Sequence, residues 1–311
     1  MRRDARIVVT GAHGLLGRAV VNRLNTDGFE TVIPLYRTDC DLTDRQAVRA
    51  WFQQTAPTHV FHAAAYVAGI MGNMRNQSLS FVQNTLINTH VIEAAHLAGT
   101  KKIVAVGTVA MYPDPEPGTP QVEADVWRDV PHASERGYAF AKRHMLAQLD
   151  VFRESHGMAF ACALSTNLYG PHDRFDIENG HVIPSLIRKF YEAKESGGRV
   201  TIWGDGSPMR DFLYVDDAAR GLIVMMDSIE GAANLATGQT HPIRELVETL
   251  VDITGMAGRV DWDSTKPSGQ LYRAYDVSCI NQAGFIPRVS LCDGLRSTYE
   301  WYAANVASTR R

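Results

Sequence analysis

Short apolar runs alternate along this chain with longer stretches of helical periodicity. Arg6–Thr10 carries Ile-Val-Val and ends at Gly11, the pattern of a strand buried on both faces. Leu15 to Leu24 then places apolar residues at helical spacing. Glu30 to Leu35 predicts a second strand, Val60 to Ala65 a third and Lys102 to Val106 a fourth, the last preceded by a helix over Leu86 to Ala98. A helix around Ala139 to Glu154 leads to a strand over Met158 to Leu164. Strands and helices in this rhythm predict an α/β fold, a Rossmann-type doubly wound parallel sheet.

Beyond Gly170-Pro171 the rhythm breaks. Pro, Gly and polar clusters at 171–181, 196–210 and 263–270 predict a smaller C-terminal α/β region that binds substrate. Phe212 to Val215, followed by Asp216-Asp217, predicts a strand feeding an acid-capped helix that returns to the first domain. The expected division is a cofactor-binding domain over 1–172, rejoined by 211–240, and a substrate-binding region over 173–210 and 241–311. Pro113 to Pro120 is a short Pro-rich loop.

Composition narrows the field without changing this picture. The 311 residues can bury a large core. A net charge of −3 gives no broad attraction to nucleic acid or anionic lipid. No apolar stretch is long enough to span a bilayer, and the N-terminal run is too short for a signal-peptide core. Cys40, Cys162, Cys279 and Cys292 have no CxxC spacing and no partnered histidines, so we expect reduced thiols, no metal site and a cytoplasmic location.

Two motifs carry chemistry. Thr10-Gly11-Ala-His13-Gly14-Leu15-Leu16-Gly17 stands between the first strand and the first helix. Gly11 and Gly14 permit a tight turn and close backbone approach, and the helix N-terminus offers N–H groups to a pyrophosphate. An NAD site carries an acid at the end of the second strand; this strand ends Leu35-Tyr36-Arg37. Arg37 is placed to pair with a 2′-phosphate, which favours NADP over NAD; a solvated surface arginine is the alternative. Asp41-Leu42 is a candidate adenine contact. The second motif is Tyr138-Ala-Phe-Ala-Lys142, a phenol and an ammonium one helical turn apart. A lysine cation favours the phenolate, so the pair suits proton transfer at a carbonyl or alcohol oxygen. Thr108, just past the fourth strand, supplies a hydroxyl for the same oxygen. On its own YxxxK is also an ordinary surface helix pair.

Together the glycine loop, Asp41-Leu42, His62-Ala-Ala-Ala65, Asn84, Thr108 and Tyr138 with Lys142 resemble the extended short-chain dehydrogenase/reductase family over nearly the whole chain. The resemblance implies a catalytic set of Thr108, Tyr138, Lys142 and His181. It implies a cofactor site of Gly11, His13, Gly14, Leu15, Leu16, Gly17, Arg37, Asp41, Leu42, Ala63, Ala64, Ala65, Asn84, Val106, Tyr138, Lys142, Leu168 and His181. Within that family the chain is similar to the GDP-L-fucose synthase group, on several segments. These are Ala63-Ala-Ala-Tyr-Val-Ala-Gly-Ile70, Glu93-Ala-Ala-His96, Thr166-Asn-Leu-Tyr-Gly-Pro-His-Asp173, His181 to Phe190, Trp203 to Leu213 and Val215-Asp-Asp217. That likeness implies a GDP-linked 4-keto sugar as substrate, held by Asn167, Val182, Lys189, Trp203, Arg210 and Arg273, and a homodimer. Core packing for Trp203 and a solvated surface for Lys189 and Arg273 are the plain alternatives.

One departure is informative. The group carries Ser-Ser-Cys before an Ile-Tyr-Pro turn, whereas this chain reads Thr108-Val109-Ala110 before Met111-Tyr112-Pro113. The cysteine, which the resemblance identifies as an epimerisation base, is Ala110 here. A methyl group removes no proton, so the expectation is a 4-ketoreductase of a GDP-linked deoxyhexose or heptose with epimerisation absent or altered. His181 either serves a single-site epimerisation or simply hydrogen-bonds its surroundings. Rival readings are the full 3,5-epimerase/4-reductase and an NAD-dependent 4-epimerase using the same triad. A dehydratase would want an acidic pair where Val109-Ala110 stands. A non-catalytic NADP sensor, of another class altogether, has no need of the retained Tyr138 and Lys142.

Overall fold

The computed structural model describes residues 1–67, 75–116, 118–177, 180–265 and 270–309. Ala68-Gly69-Ile70 and residues 266–269 of the 263–270 cluster lie outside them. Six strands form one parallel sheet, in the order Gly231–Leu235, Ala159–Ser165, Lys102–Val106, His59–His62, Arg6–Thr10, Thr31–Leu35. Numbered along the chain, that order reads 6-5-4-3-1-2. It reverses between the first and third strands, which opens a crevice at their carboxyl ends.

Both faces are covered, as a parallel sheet requires. One face packs on the helices Arg45–Thr55, Gln77–Leu97 and Arg136–His156 through Val8, Phe52, Val91, Met145 and Phe160. The other packs on Leu15–Thr26 and Val215–Ser228 through Ile7, Val20, Phe61, Leu222 and Met225. A third core, built on Phe175, Ile187, Phe190, Leu250, Leu295 and Tyr302, belongs to the helices Val182–Ser196, Ile243–Thr254 and Leu291–Asn305. The strand pair Val200–Trp203 and Val260–Asp263 lies with this lobe.

Most expected elements are present, with three differences. The third strand stops at His62, because residues 63–65 leave the sheet to line the cleft beyond it. The helix expected from Leu86 begins at Gln77. Over its first half the inner face carries Ser80, Asn84 and Asn88 while Phe81, Val82 and Leu86 face outward and Leu79 lines the cleft, so there the usual apolar stripe is inverted. Asp217, expected as a cap, is 2 % exposed and instead accepts the backbone N–H groups of Arg288 (2.7 Å) and Val289 (2.8 Å).

The sixth strand is tied to distant loops by Asn234, which is fully buried. Its side chain accepts from the Tyr112 hydroxyl (2.6 Å) and donates to the carbonyls of Gln121 (3.0 Å) and Asp276 (2.9 Å). Replacing Asn234 with Leu strands all three partners in the dry interior. We expect a loss of roughly 3 kcal/mol or more, read as a lower urea midpoint at unchanged slope.

Candidate functional site

A single cleft of about 2120 Å³ runs from the carboxyl ends of the strands into the smaller lobe. Sites for one small ligand span roughly 300–1000 Å³, so this cleft has room for two extended molecules.

Its first half is built by the glycine loop. Gly11 has φ +68°, and a Cβ there would stand 2.7 Å from the Ala64 nitrogen. A Cβ on Gly17 would meet the Gly11 carbonyl oxygen at 2.2 Å. The loop is therefore packed backbone against backbone, which only glycine allows. The helix that follows starts from Gly14, without a side-chain cap and without an acid in its first turn. Leu15, Leu16 and Gly17, which carry its leading N–H groups, line the cleft, and no side chain of the described residues caps them. A dinucleotide pyrophosphate fits this arrangement. His13, Ala63, Ala64, Ala65, Val106 and Leu168 also line this half.

At its outer end lie Tyr36, Arg37, Asp41 and Leu42. The nearby Asp39 is turned back to accept the Tyr36 N–H (3.0 Å). Asp41 accepts both the N–H and the hydroxyl of Thr43 (2.9 and 2.8 Å), and these bonds, with Arg37 a smaller contributor, hold its carboxyl below the usual range. Arg37 lines the cleft beside Asp41.

Asn84 is the exception among the expected cofactor residues. It is fully buried and does not reach the cleft. Its amide accepts the Tyr66 N–H (2.9 Å) and donates to the carbonyls of Tyr66 (2.9 Å) and Ser80 (2.8 Å). It shapes the loop after the third strand.

At the centre, Thr108, Tyr138, Lys142 and His181 converge on the cleft. Lys142 is 1 % exposed, with its Nζ 2.7 Å from the Val106 carbonyl and 5.9 Å from the Tyr138 ring centre. Burial lowers its ammonium to about 8. Burial, and then the Glu135 carboxylate, push the Tyr138 phenol well above its ordinary range, contrary to the depressed phenol the motif suggests. The phenol is therefore a neutral acid in this state. The Thr108 oxygen accepts the Ala110 N–H (3.2 Å), which leaves its own proton to donate. Ala110 is 5 % exposed and presents its methyl beside these groups. His181 stands at the N-terminus of Val182–Ser196 without capping it.

The second half contains all six expected substrate contacts. Asn167 donates to the Asp211 carbonyl (3.0 Å). Trp203 is 58 % exposed, which rules out a core role; the Lys189 ammonium lies 5.7 Å from its ring centre, and burial lowers that ammonium. Arg210 and Arg273 share a pocket where burial, and then their mutual repulsion, depress the Arg210 guanidinium. The Arg273 Nε is buried without a hydrogen-bond partner among the described residues, and the Tyr275 hydroxyl lies against the Arg273 side chain. Two crowded cations with an unmatched N–H suit a multiply charged anion. Tyr275, Glu135 and His132 also line the cleft and carry no sequence signal beyond their nearness to Arg273 and Tyr138.

Among the described residues no helix is long and apolar enough to cross a membrane, and no group of three or more His, Cys, Asp and Glu side chains could hold a metal.

Residues 7–236 match the model of the NAD dependent epimerase/dehydratase family. The chain is 38 % identical over 309 residues to GDP-L-fucose synthase 1 of Arabidopsis thaliana, covering 98 % of this chain and 95 % of that one. It is similar to the structure of a GDP-L-fucose synthetase from Naegleria fowleri bound to NADP, at TM-score 0.93 and 28 % identity, covering 100 % and 96 % of the two chains. The structure of MlghC, a GDP-mannoheptose C4 reductase from Campylobacter jejuni with NADP bound, matches at TM-score 0.87 and 26 % identity over 97 % and 99 %.

If Arg37 is the 2′-phosphate contact, Arg37→Ala should raise the NADPH dissociation constant about ten- to a hundredfold and leave NADH binding nearly unchanged. Fluorescence titration with each dinucleotide checks this.

Proposed function

The chain belongs to the NAD dependent epimerase/dehydratase family, and from that premise we propose that it is an NADPH-dependent 4-ketoreductase of a GDP-linked 4-keto-6-deoxy sugar, hexose or heptose, with 3,5-epimerisation absent or altered. The observation that carries this reading is the centre of the cleft. There Thr108, Tyr138 and Lys142 are assembled as an acid site, and a methyl group stands at Ala110.

NADPH, when bound, supplies the hydride to the sugar C4. Tyr138 gives its proton to the C4 oxygen as negative charge develops there, and its raised pKa keeps that proton available near neutrality. Thr108 donates a second hydrogen bond to the same oxygen. Lys142 holds the nicotinamide ribose and places a positive charge beside the phenol, stabilising the phenolate left behind. The leading amides of the first helix hold the pyrophosphate, and Arg37 the 2′-phosphate. Arg210 and Arg273 hold the GDP diphosphate, with Trp203 as a platform and Asn167, Val182 and Lys189 beside the nucleotide sugar. Residues 1–172 with 211–240 form the cofactor domain, a division supported by the return of Gly231–Leu235 to the sheet beside Ala159–Ser165. The outward Val82 and Leu86, 49 and 36 % exposed, lie one turn apart on a helix face and support a homodimer.

A reductase without epimerisation should oxidise one NADPH per ketone and incorporate no solvent deuterium at C3 or C5 when a GDP-4-keto-6-deoxy sugar is turned over in heavy water. Deuterium at both carbons would overturn the Ala110 argument, and no NADPH oxidation with any GDP-keto sugar would overturn the reductase reading itself. A pH dependence follows from Lys142. Because burial holds its ammonium at about 8, the cation is present below that pH and lost above it. We expect kcat/KM to stay level near neutrality and then to fall about tenfold per pH unit on the alkaline side.

A further inference from the structure

Beneath the cleft a buried chain of polar groups crosses the sheet. The Ala64 N–H lies 3.2 Å from the Thr10 Oγ1, which lies 2.8 Å from His62 Nδ1. His62 Nε2 is 3.0 Å from Asn88 Oδ1, and Asn88 Nδ2 is 3.4 Å from the Ala141 carbonyl oxygen. Thr10, His62 and Asn88 are all fully buried.

Simple donor counting fixes the direction of this chain. The Ala141 carbonyl only accepts, so Asn88 must turn its amino group to it and its oxygen to His62. His62 must then carry its proton on Nε2. Its bare Nδ1 accepts from the Thr10 hydroxyl, whose oxygen accepts the Ala64 N–H. Every member is satisfied, and the imidazole is neutral. A charged imidazole would be desolvated and would oppose the Lys142 cation, which is why His62 is pushed down to about 3.

The ends of the chain give it a use. Thr10 immediately precedes Gly11, and Ala64 is the residue against which Gly11 packs. Ala141 immediately precedes Lys142. We propose that His62 and Asn88 are positioning residues: the chain they complete holds the Lys142 segment of the catalytic helix in register with the glycine loop, so that ammonium and dinucleotide meet at a fixed separation. This rests on Lys142 acting on the nicotinamide ribose. Around Lys142 the facing groups are the Val106 carbonyl, the Tyr138 ring, the Cys162 thiol and the neutral His62. No carboxylate of the described residues is among them, so slack in the chain would admit water to an ammonium restrained otherwise only by the Val106 carbonyl.

Asn88→Asp tests the direction of the chain. Protonated, the new carboxyl donates to Ala141 and accepts from His62, as the amide does. Ionised, it turns a bare oxygen on the Ala141 carbonyl. We expect near wild-type NADPH affinity and kcat/KM at low pH, and a loss of about tenfold that sets in as pH rises, below the wild-type alkaline limb. Thr10→Val removes only the hydroxyl. It should raise the NADPH dissociation constant by a similar factor and move the alkaline limb above that of the wild type. An Asn88→Asp profile and NADPH affinity superimposable on wild type would overturn the proposal. Should that variant not fold, unchanged affinity and limb position in Thr10→Val would overturn it equally. NADPH affinity is read without any sugar, so failure of the sugar-reductase reading leaves this test standing.

Discussion

Everything at the centre of this molecule is organised around one buried cation. The Lys142 ammonium is 1 % exposed, has no ion-pair partner among the described residues, and is bonded to a single backbone carbonyl, that of Val106. Removing an ammonium from water costs several kcal/mol unless it is paired. The fold tolerates it at reduced basicity, with a neutral imidazole on one side and a neutral phenol on the other. That arrangement is useful because it is incomplete. On the proposed function, this cation with spare N–H donors at the centre of the cleft serves a ribose hydroxyl and the developing phenolate of Tyr138. Tyr138 is held as an acid until proton transfer begins, when the adjacent charge favours the product state.

On the proposed function, the two halves of the cleft solve the same problem, the binding of a diphosphate, by different means. On the sheet side the backbone does the work. Gly11 and Gly17 bring strand, loop and helix so close that uncapped N–H groups point into the cleft. On the lobe side, Arg210 and Arg273 are brought into mutual repulsion, with an Arg273 Nε that has no hydrogen-bond partner among the described residues. The first device needs no ordering of long side chains and suits a resident dinucleotide. The second carries full charges that an incoming anion neutralises, which suits a substrate that must enter and leave.

What the sequence made legible follows the same division. Strands buried on both faces are short apolar runs, and glycine loops have fixed spacing, so the sheet and the cofactor half could be read directly. The helix Gln77–Leu97 could not be read from its true start, because Ser80, Asn84 and Asn88 point inward and Phe81, Val82 and Leu86 outward. Periodicity assumes that apolar means inside, and here that assumption fails. Asn84 shows the limit of reading a residue by its motif: it supports the cofactor loop from beneath, at one remove from the cleft. The raised phenol of Tyr138 was equally hidden. The spacing of Tyr138 and Lys142 is visible in the chain, but their burial and the nearby Glu135 are not.

The replacement at Ala110 gains its meaning from these surroundings. Reduction of a ketone needs one acid at the oxygen and a hydride at the carbon, and both requirements are met by groups fixed to the sheet and its helix. Epimerisation beside a ketone needs in addition a base that reaches a carbon, on the opposite wall from the hydride donor. At Ala110 the chain offers a methyl, and the phenol and the Thr108 hydroxyl are engaged at the oxygen. His181, at the start of Val182–Ser196, belongs to the other wall and is the residue from which a single proton abstraction would have to come. Two abstractions at carbons on either side of the ketone would ask one imidazole to act twice without the partner that the Ala110 position would otherwise hold. On the proposed function, two activities that share one ketone are thereby separated. The acid half is built into the rigid sheet, and the base half depends on a single side chain of the smaller lobe.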